Sequence, residues 1–338
     1  MIRAYRVPKG SKGPDDLRIE QLPAPQPLPG QVIVRIHATS LNFRDQAIVA
    51  SQYPMGVKED GVIPLSDGAG EVIAVGEGVA RTRVGDRVAG TFFQTLRHPM
   101  ATMPAALGAG IDGVLAEQVA FYEDGIVPIP AGYSYEEAAC LPCAGVTAWH
   151  ALFRMGKPIV PGSTVLTLGT GGVSTFALQF AHAAGCHVIT TSSSDAKLAR
   201  ARELGANLGI NYKTTPEWDN EVMKATAGQG ADCIVEVGGV GTLPRSMNAL
   251  ARGGKITLIG LLTGRDGGVS PYPLMFKGGS LHGVYVGDRA MFLEMTRAID
   301  ASGLKPVIDR VFAFEQASDA FKYAASGQML GKVVIRVG

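Results

Sequence analysis

The chain has 338 residues, 46% of them hydrophobic and 18% charged, with a formal net charge of +1. That length suits about two domains with sizeable cores, and the composition excludes a disordered chain. The near-neutral balance argues against a polyanion such as nucleic acid as the main partner, no run of 18 apolar residues offers a membrane span, and the opening MIRAYRVPKG lacks the apolar core of a secretory signal.

The first third reads as strands and turns. Val32–Ala38 is a strand with partial alternation, and Gly70–Val75 and Arg87–Gly90 look similar, separated by turns at Gly76-Glu77-Gly78 and Gly85-Asp86. Four prolines within Leu22–Gly30 suit an extended surface segment. Many short strands with Gly/Asp turns predict a compact β barrel. Residues 91–113 have no period and read as a loop or short helix beside a substrate pocket.

From about residue 134 the pattern changes. Ser134 followed by Glu137 is a capping box that opens a helix, and helix continues through Thr147–Met155. Strand and helix then alternate. Val165–Leu168 is a buried strand, Ser174–Ala184 an apolar helix and His187–Thr191 a second strand. Helix Asp195–Leu204, strand Leu208–Asn211, helix Trp218–Thr226 and strand Cys233–Val237 follow. Helix Leu243–Leu250, strand Lys255–Leu261, strand Ser280–Val286 and helix Ala290–Ala301 continue the pattern. Such alternation predicts an α/β fold with a doubly wound parallel sheet. The last strand, Lys332–Val337, comes after the alternation and is expected to return to the first domain.

Between strand Val165–Leu168 and its helix stands Gly169-Thr170-Gly171-Gly172-Val173-Ser174. A glycine turn there lets backbone N–H groups approach a pyrophosphate, and the helix N-terminus adds unpaired N–H groups and a positive dipole end. The third fingerprint glycine is replaced by Ser174. A NAD-type site would carry Asp or Glu about twenty residues on. Here that place reads Ser192-Ser193-Ser194, with Lys197 one turn later. Hydroxyls and a cation suit a 2′-phosphate, so the expected cofactor is NADP(H). The triplet also reads as a loop capping the next helix through Ser194 or Asp195. Gly238 and Gly260 fall at the carboxyl edge of later strands, where ligands bind. The four cysteines (Cys140, Cys143, Cys186 and Cys233) predict reduced, buried thiols in a cytoplasmic protein. Cys140-Leu-Pro-Cys143 is a lone C-x-x-C without a thioredoxin-like context, which reads as two small buried residues.

In order, the chain also carries SLNFRD (40–45), PLSDGAGEV (64–72), VGDRVAG (84–90), LPCAGVTAW (141–149) and a terminal GKVVI. With the glycine turn, these motifs resemble the medium-chain dehydrogenase/reductase superfamily over essentially the whole chain. The chain looks closest to the zinc-free quinone oxidoreductase, or zeta-crystallin-like, branch. The resemblance implies a GroES-like β-rich catalytic domain at 1–144 and a Rossmann domain at 145–287. It further implies a segment, 288–338, that returns to the catalytic domain, and a cleft between the domains. It implies a dimer or tetramer, a homodimer being joined through the Rossmann sheet edges at about 280–287. It assigns Thr147 to the nicotinamide, Tyr212 to the adenosine end and Lys332 to a basic position near the cofactor; Lys332 also reads as a solvated strand-edge lysine.

Zinc-dependent members of the superfamily hold catalytic zinc with Cys, His and Cys. Those positions correspond here to Asn42, Ser66 and Cys143, and the Glu beside the His corresponds to Asp67. One thiolate with an amide and a hydroxyl is a poor zinc site, and the region that would match the structural-zinc lobe, 91–113, has no cysteine. No metal is expected. Without a Lewis acid, a substrate that is easy to reduce fits better, such as a quinone or an α,β-unsaturated ketone or aldehyde. Stabilising its enolate or phenolate needs hydrogen-bond donors and then a proton. Asn42 is the first candidate donor, or else a turn-stabilising Asn. Tyr53 is a second candidate or a packing residue. Asp45 and Arg44 read as an orienting ion pair, and Asp67 as a carboxylate tuning the pocket or a turn Asp. An alcohol or aldehyde oxidoreductase and a non-catalytic, crystallin-like nucleotide binder are the alternative functions.

Overall fold

The computed structural model describes all residues except Met55, Glu59, 95–105 and Arg265, so 95–105 of the irregular stretch expected at 91–113 lie outside the described residues. The chain divides into two compact units, residues 1–146 with 288–338, and residues 147–287.

The first unit begins with β1 (Ile2–Arg6) and β2 (Arg18–Leu22), paired antiparallel as a ribbon. Neither was expected from the sequence, because their periodicity is broken by charged residues on half-exposed positions. Next come β3 (Gln31–Ser40), α1 (Phe43–Val49), β4 (Asp67–Val75), β5 (Arg87–Gly90), β6 (Gln118–Tyr122) and β7 (Ile126–Pro128). β3 is the centre of the sheet: it pairs with β4 and with β6, both antiparallel. Val32, Val34 and Ile36 alternate into the core with Leu65, Val72, Val114 and Leu115. α2 (Tyr135–Ala138) opens on the expected capping box, in which Glu137 N–H donates to Ser134 Oγ and the Glu137 carboxylate accepts from Ser134 N–H. The expected helix at Thr147–Met155 is α3 (Val146–Trp149) running into a π-helical turn, His150–Arg154. A matching π-turn precedes it at Leu141–Gly145.

The second unit is a six-stranded parallel sheet with helices between successive strands. Its strands are β8 (Thr164–Leu168), β9 (His187–Ser192), β10 (Leu208–Asn211), β11 (Ala231–Glu236), β12 (Leu250–Leu258) and β13 (Ser280–Gly283). Their order is β10-β9-β8-β11-β12-β13, every neighbouring pair parallel, as in a doubly wound dinucleotide-binding sheet. The helices are α4 (Gly172–Ala183), α5 (Asp195–Glu203), α6 (Trp218–Ala225), α7 (Leu243–Ala249) and α8 (Tyr272–Lys277). Ser194 caps α5 by accepting from Lys197 N–H, which resolves the two cap candidates in its favour. β12 starts five residues earlier than expected, because a bulge lets Leu250 pair with Ala231 before Lys255 pairs with Cys233. β13 is shorter than expected and ends the ladder with one edge unpaired among the described residues. The core is aliphatic, built on Leu166, Ile189, Ile234, Ile256 and Val222 with Trp218.

The chain then returns to the first unit through α9 (Arg289–Ser302), β14 (Ile308–Ala313), α10 (Ala317–Ala325) and β15 (Lys332–Arg336). α9 is capped by Asp288, whose carboxylate accepts from Met291 N–H at 2.9 Å. β15 pairs antiparallel with the end of β3, and β14 lies parallel beside it. The resulting ladder is β14-β15-β3-β4-β5-β7, with β6 pairing β3 off that path. Among the described residues no helix is long and apolar enough to cross a membrane.

Candidate active site

In the first unit, three strand ends converge. Antiparallel pairing sets Ser40, at the end of β3, opposite Asp67, at the start of β4. The same Ser40 pairs with Val334 of β15, two residues after Lys332. Asn42, the N-cap of α1, therefore lies beside Asp67 and Lys332 although about 290 residues separate it from the latter. Lys332 Nζ donates to Asn42 Oδ1 and to Leu41 O, both at 2.6 Å, and stands 3.8 Å from Asp67 Oδ2. Ser66 Oγ donates to Asp67 Oδ1 at 2.6 Å, and Cys143 N–H donates to Asp67 Oδ2 at 3.1 Å. Asn42 Nδ2 faces Ser66 Oγ at 3.5 Å, a long contact.

Burial sorts this cluster. Lys332 is 2% exposed, and Ser66 and Asp67 are sealed. Asn42 and Cys143 are half-buried. The solvated strand-edge lysine is thereby corrected: Lys332 is an internal ammonium paired with an internal carboxylate. Burial, then the nearby charge of Asp67, pushes the Cys143 thiol up to about 12, which keeps it neutral. Cys143 is also less buried than expected, whereas Cys140, Cys186 and Cys233 are buried; all four are free thiols.

Ser66 is held in place by a strained neighbour. Leu65, fully buried, has φ 70°, a left-handed conformation that costs a β-carbon-bearing residue roughly 1–2 kcal/mol. Val114 N–H donates to Leu65 O at 3.0 Å and helps to hold it there. Such an outlier beside a polar cluster marks a site that the surrounding fold over-determines.

Asp45 and Arg44 do not form the expected ion pair. The Asp45 carboxylate turns back to accept from Asn42 N–H at 2.6 Å, closing the first turn of α1. Its other oxygen, Oδ1, is buried without a hydrogen-bond partner among the described residues. Burial pushes this carboxyl up to about 6, against the pull of Arg44. The Arg44 guanidinium instead donates to Leu107 O at 2.8 Å and lies over the rings of Phe92 and Tyr53, 4.5 and 5.2 Å from their centroids. Tyr53 is half-buried and packs against the core of this unit.

The second unit gathers the residues expected to hold a dinucleotide. Because all its strands are parallel, β8, β9, β11 and β12 end at one edge. Gly169, one residue past β8, has φ +73° and open space where a Cβ would stand. Its N–H donates to Thr191 Oγ1 at 3.2 Å. Gly171 caps α4, so the first N–H groups of that helix, from Gly172 and Val173, have no intrahelical acceptor. Ser174, which breaks the fingerprint, is accounted for: its hydroxyl donates to Leu168 O at 2.7 Å, so a small hydrogen-bonded side chain fills the place of the glycine. Ser192 ends β9 and Ser193 follows it. Lys197 lies in the first turn of α5, and Tyr212 N–H donates to Ser192 O at 3.0 Å. Thr170 is buried, whereas Tyr212 is exposed. Gly260 sits where a Cβ would meet Val237 O at 2.1 Å, so the backbone approach there requires glycine. Thr147, at the start of this unit, is buried in α3.

One residue of this unit escaped the sequence reading. Glu236, buried at the end of β11, accepts from Gly238 N–H at 2.7 Å, Gly239 N–H at 3.1 Å and the Thr242 and Ser246 hydroxyls. It fixes the backbone around Gly238 from below. Its sequence signal was a single acid at the end of the apolar run Cys-Ile-Val-Glu.

Comparison with known proteins assigns the family. A model described as zinc-binding dehydrogenase matches residues 172–301, and one described as alcohol dehydrogenase GroES-like domain matches residues 28–131. A zinc-type alcohol dehydrogenase-like protein of Schizosaccharomyces pombe is 41% identical, and the match covers 100% of each chain. The chain belongs to the medium-chain dehydrogenase/reductase superfamily. It is therefore an oxidoreductase of that superfamily, with a GroES-like unit and a Rossmann unit for a nicotinamide dinucleotide. Among solved members, an NAD-dependent alcohol dehydrogenase is 32% identical with a TM-score of 0.91, covering 99% of this chain and 100% of that one. A quinone oxidoreductase of Pseudomonas syringae pv. Tomato DC3000 is 27% identical with a TM-score of 0.84, covering 100% of both.

Proposed function

We propose that the chain is an NADP(H)-dependent, zinc-independent reductase of quinones or α,β-unsaturated carbonyl compounds. The observation that carries this reading is the donor set at Asn42, Ser66 and Cys143, the positions that correspond to zinc ligands in zinc-dependent relatives. The Asn42 amide oxygen is taken by an ammonium and the Ser66 hydroxyl is committed to Asp67, which leaves the Cys143 thiol as the one donor of the zinc-ligand type in the set. Among the described residues no three His, Cys, Asp or Glu side chains are grouped to hold a metal. Zinc favours thiolate and imidazole donors, so this set does not fit it.

What the half-buried members offer is an amide N–H and a neutral thiol. Donors of that kind stabilise an oxygen whose negative charge is spread over a conjugated system, as in an enolate or phenolate. A simple aldehyde reduced to an alkoxide asks for more. The nicotinamide of the cofactor supplies the hydride when bound. Thr147 contacts it in this reading, while Gly169, Thr170, Gly171, Gly172 and Val173 cradle the pyrophosphate. Ser192, Ser193 and Lys197 take the 2′-phosphate, Tyr212 the adenosine end, and Gly238 and Gly260 line the edge. Tyr53 and Asp45 remain candidates on the substrate side.

A second reading, an alcohol or aldehyde oxidoreductase, is favoured by the names of the similar proteins from Schizosaccharomyces pombe and among the solved structures. The unpaired edge of β13, with Leu281 38% and Tyr285 42% exposed beside it, suits a homodimer joined edge to edge. Four free thiols suit the reducing cytoplasm.

The test is NADPH oxidation with a panel of quinones, enones, enals and simple aldehydes, together with metal analysis of the purified protein. Turnover of the conjugated acceptors by zinc-free protein is the expected result. One zinc per chain, or turnover confined to simple aldehydes, would refute the reading in favour of the second. NADPH binding without turnover of any acceptor would make the chain a non-catalytic nucleotide binder.

A further inference from the structure

The cluster around Asn42 has a direction. An ammonium carries three donors and no acceptor. The Asn42 atom that meets Lys332 Nζ at 2.6 Å must therefore be the amide oxygen, and the NH2 group must turn away from it. Ser66 reinforces the choice: its own proton goes to Asp67, so its oxygen can only accept, and it faces Asn42 Nδ2. Asp67 is balanced in turn by Lys332 and by Cys143 N–H. A neutral neighbour at position 332 would permit either orientation of the amide; a sealed ammonium permits one.

We propose that Lys332 is a positioning residue, which locks the Asn42 amide so that the site offers N–H, not oxygen, to a substrate. The site thereby selects acceptor oxygens, carbonyl or quinone. This rests on the reading of Asn42 as the donor to substrate. Lys332 is 2% exposed and two of its N–H groups are used internally, so it acts through Asn42 and not by touching the substrate.

The experiment compares Asn42→Asp with Asn42→Ala, each in the wild-type chain and in a Lys332→Met/Asp67→Asn background that removes both charges of the pair. With Lys332 present, the new carboxylate accepts from the ammonium, and N42D should melt at or above the temperature of N42A. Without it, the same carboxylate has lost its cation, and N42D should melt several degrees below N42A. The same order in both backgrounds would overturn the proposal. Should the doubly substituted background not fold, N42D melting below N42A in the wild-type chain overturns it by itself. With NADPH and an enone, the K332M/D67N chain should lose tenfold or more in kcat with little change in KM for NADPH, and Lys332→Arg should restore much of the loss. A raised KM for NADPH at unchanged kcat would assign Lys332 to the cofactor and overturn the proposal. If the wild-type enzyme reduces no acceptor, the proposed function fails, while the melting comparison still decides whether Lys332 holds Asn42.

Discussion

Replacing Asp45 by Asn should remove a pH-dependent weakness from the catalytic unit. The carboxyl is fully buried, with one oxygen on Asn42 N–H and the other without a partner among the described residues. Burial raises it from an ordinary 3.8 to about 6. A group raised on folding contributes stability that is complete below its unfolded pKa and is lost as pH rises through its folded pKa. The whole difference corresponds to about 3 kcal/mol, of which about 2 kcal/mol is lost between about pH 4.5 and pH 8. The substituted amide does not titrate, and its oxygen can still accept from Asn42 N–H. Its NH2 group would occupy the unpartnered side, at a cost of about 1–3 kcal/mol that does not change with pH. The two chains should therefore diverge with pH: the stability of Asp45→Asn relative to wild type should rise by about 2 kcal/mol from about pH 4.5 to pH 8. Denaturant unfolding followed by tryptophan fluorescence and far-ultraviolet circular dichroism at several pH values measures this. A stability difference that stays constant over that range would refute the reasoning, because it would mean that Asp45 is ionised with its ordinary affinity for protons.

Ser192→Asp places a carboxylate at the end of β9, where the 2′-phosphate is proposed to sit. NADPH should bind about five- to thirtyfold more weakly relative to NADH, since like charges several ångströms apart in a partly buried site repel by about 1–2 kcal/mol; unchanged relative Kd values by fluorescence titration would remove the serine triplet from the cofactor site. In Glu236→Gln the amide oxygen can keep the three bonds now made to Oε1, while the NH2 replaces Oε2 and faces the Ser246 hydroxyl, which must turn to accept. Loss of the charge behind these donors should destabilise the Rossmann unit by about 1–3 kcal/mol and weaken both cofactors alike. A shift in the preference between NADPH and NADH would instead mean that Glu236 acts at the 2′-phosphate.

Much of the Rossmann unit was legible in the sequence because its order is local. Leu208–Asn211 and the ends of most other strands and helices followed from apolar runs, caps and glycines that lie close together along the chain. Where pairing overrides propensity, the reading slipped: β12 begins at Leu250 through a bulge that its partner Ala231 imposes. The catalytic unit was less legible, since β1 and β2 carry charges and gain their order from one another. Asn42, Asp67 and Cys143 were picked out through the family resemblance. Their mutual bonds, and the absence of an Arg44–Asp45 pair, were not visible to it. Glu236 and Lys332 are each a single charge next to an apolar run. Nothing in that pattern tells a buried, satisfied charge from an exposed one.

The sequence by itself determined the fold class and the glycine turn with its helix, because these depend on residue identity and short spacing. The tertiary structure alone decided what surrounds Asn42. Antiparallel pairing of β3 with β4 and β15 brings Asn42, Asp67 and Lys332 together across the whole length of the chain. Burial then makes the ammonium and the carboxylate choose partners inside the protein, and that choice sets which way the Asn42 amide is turned.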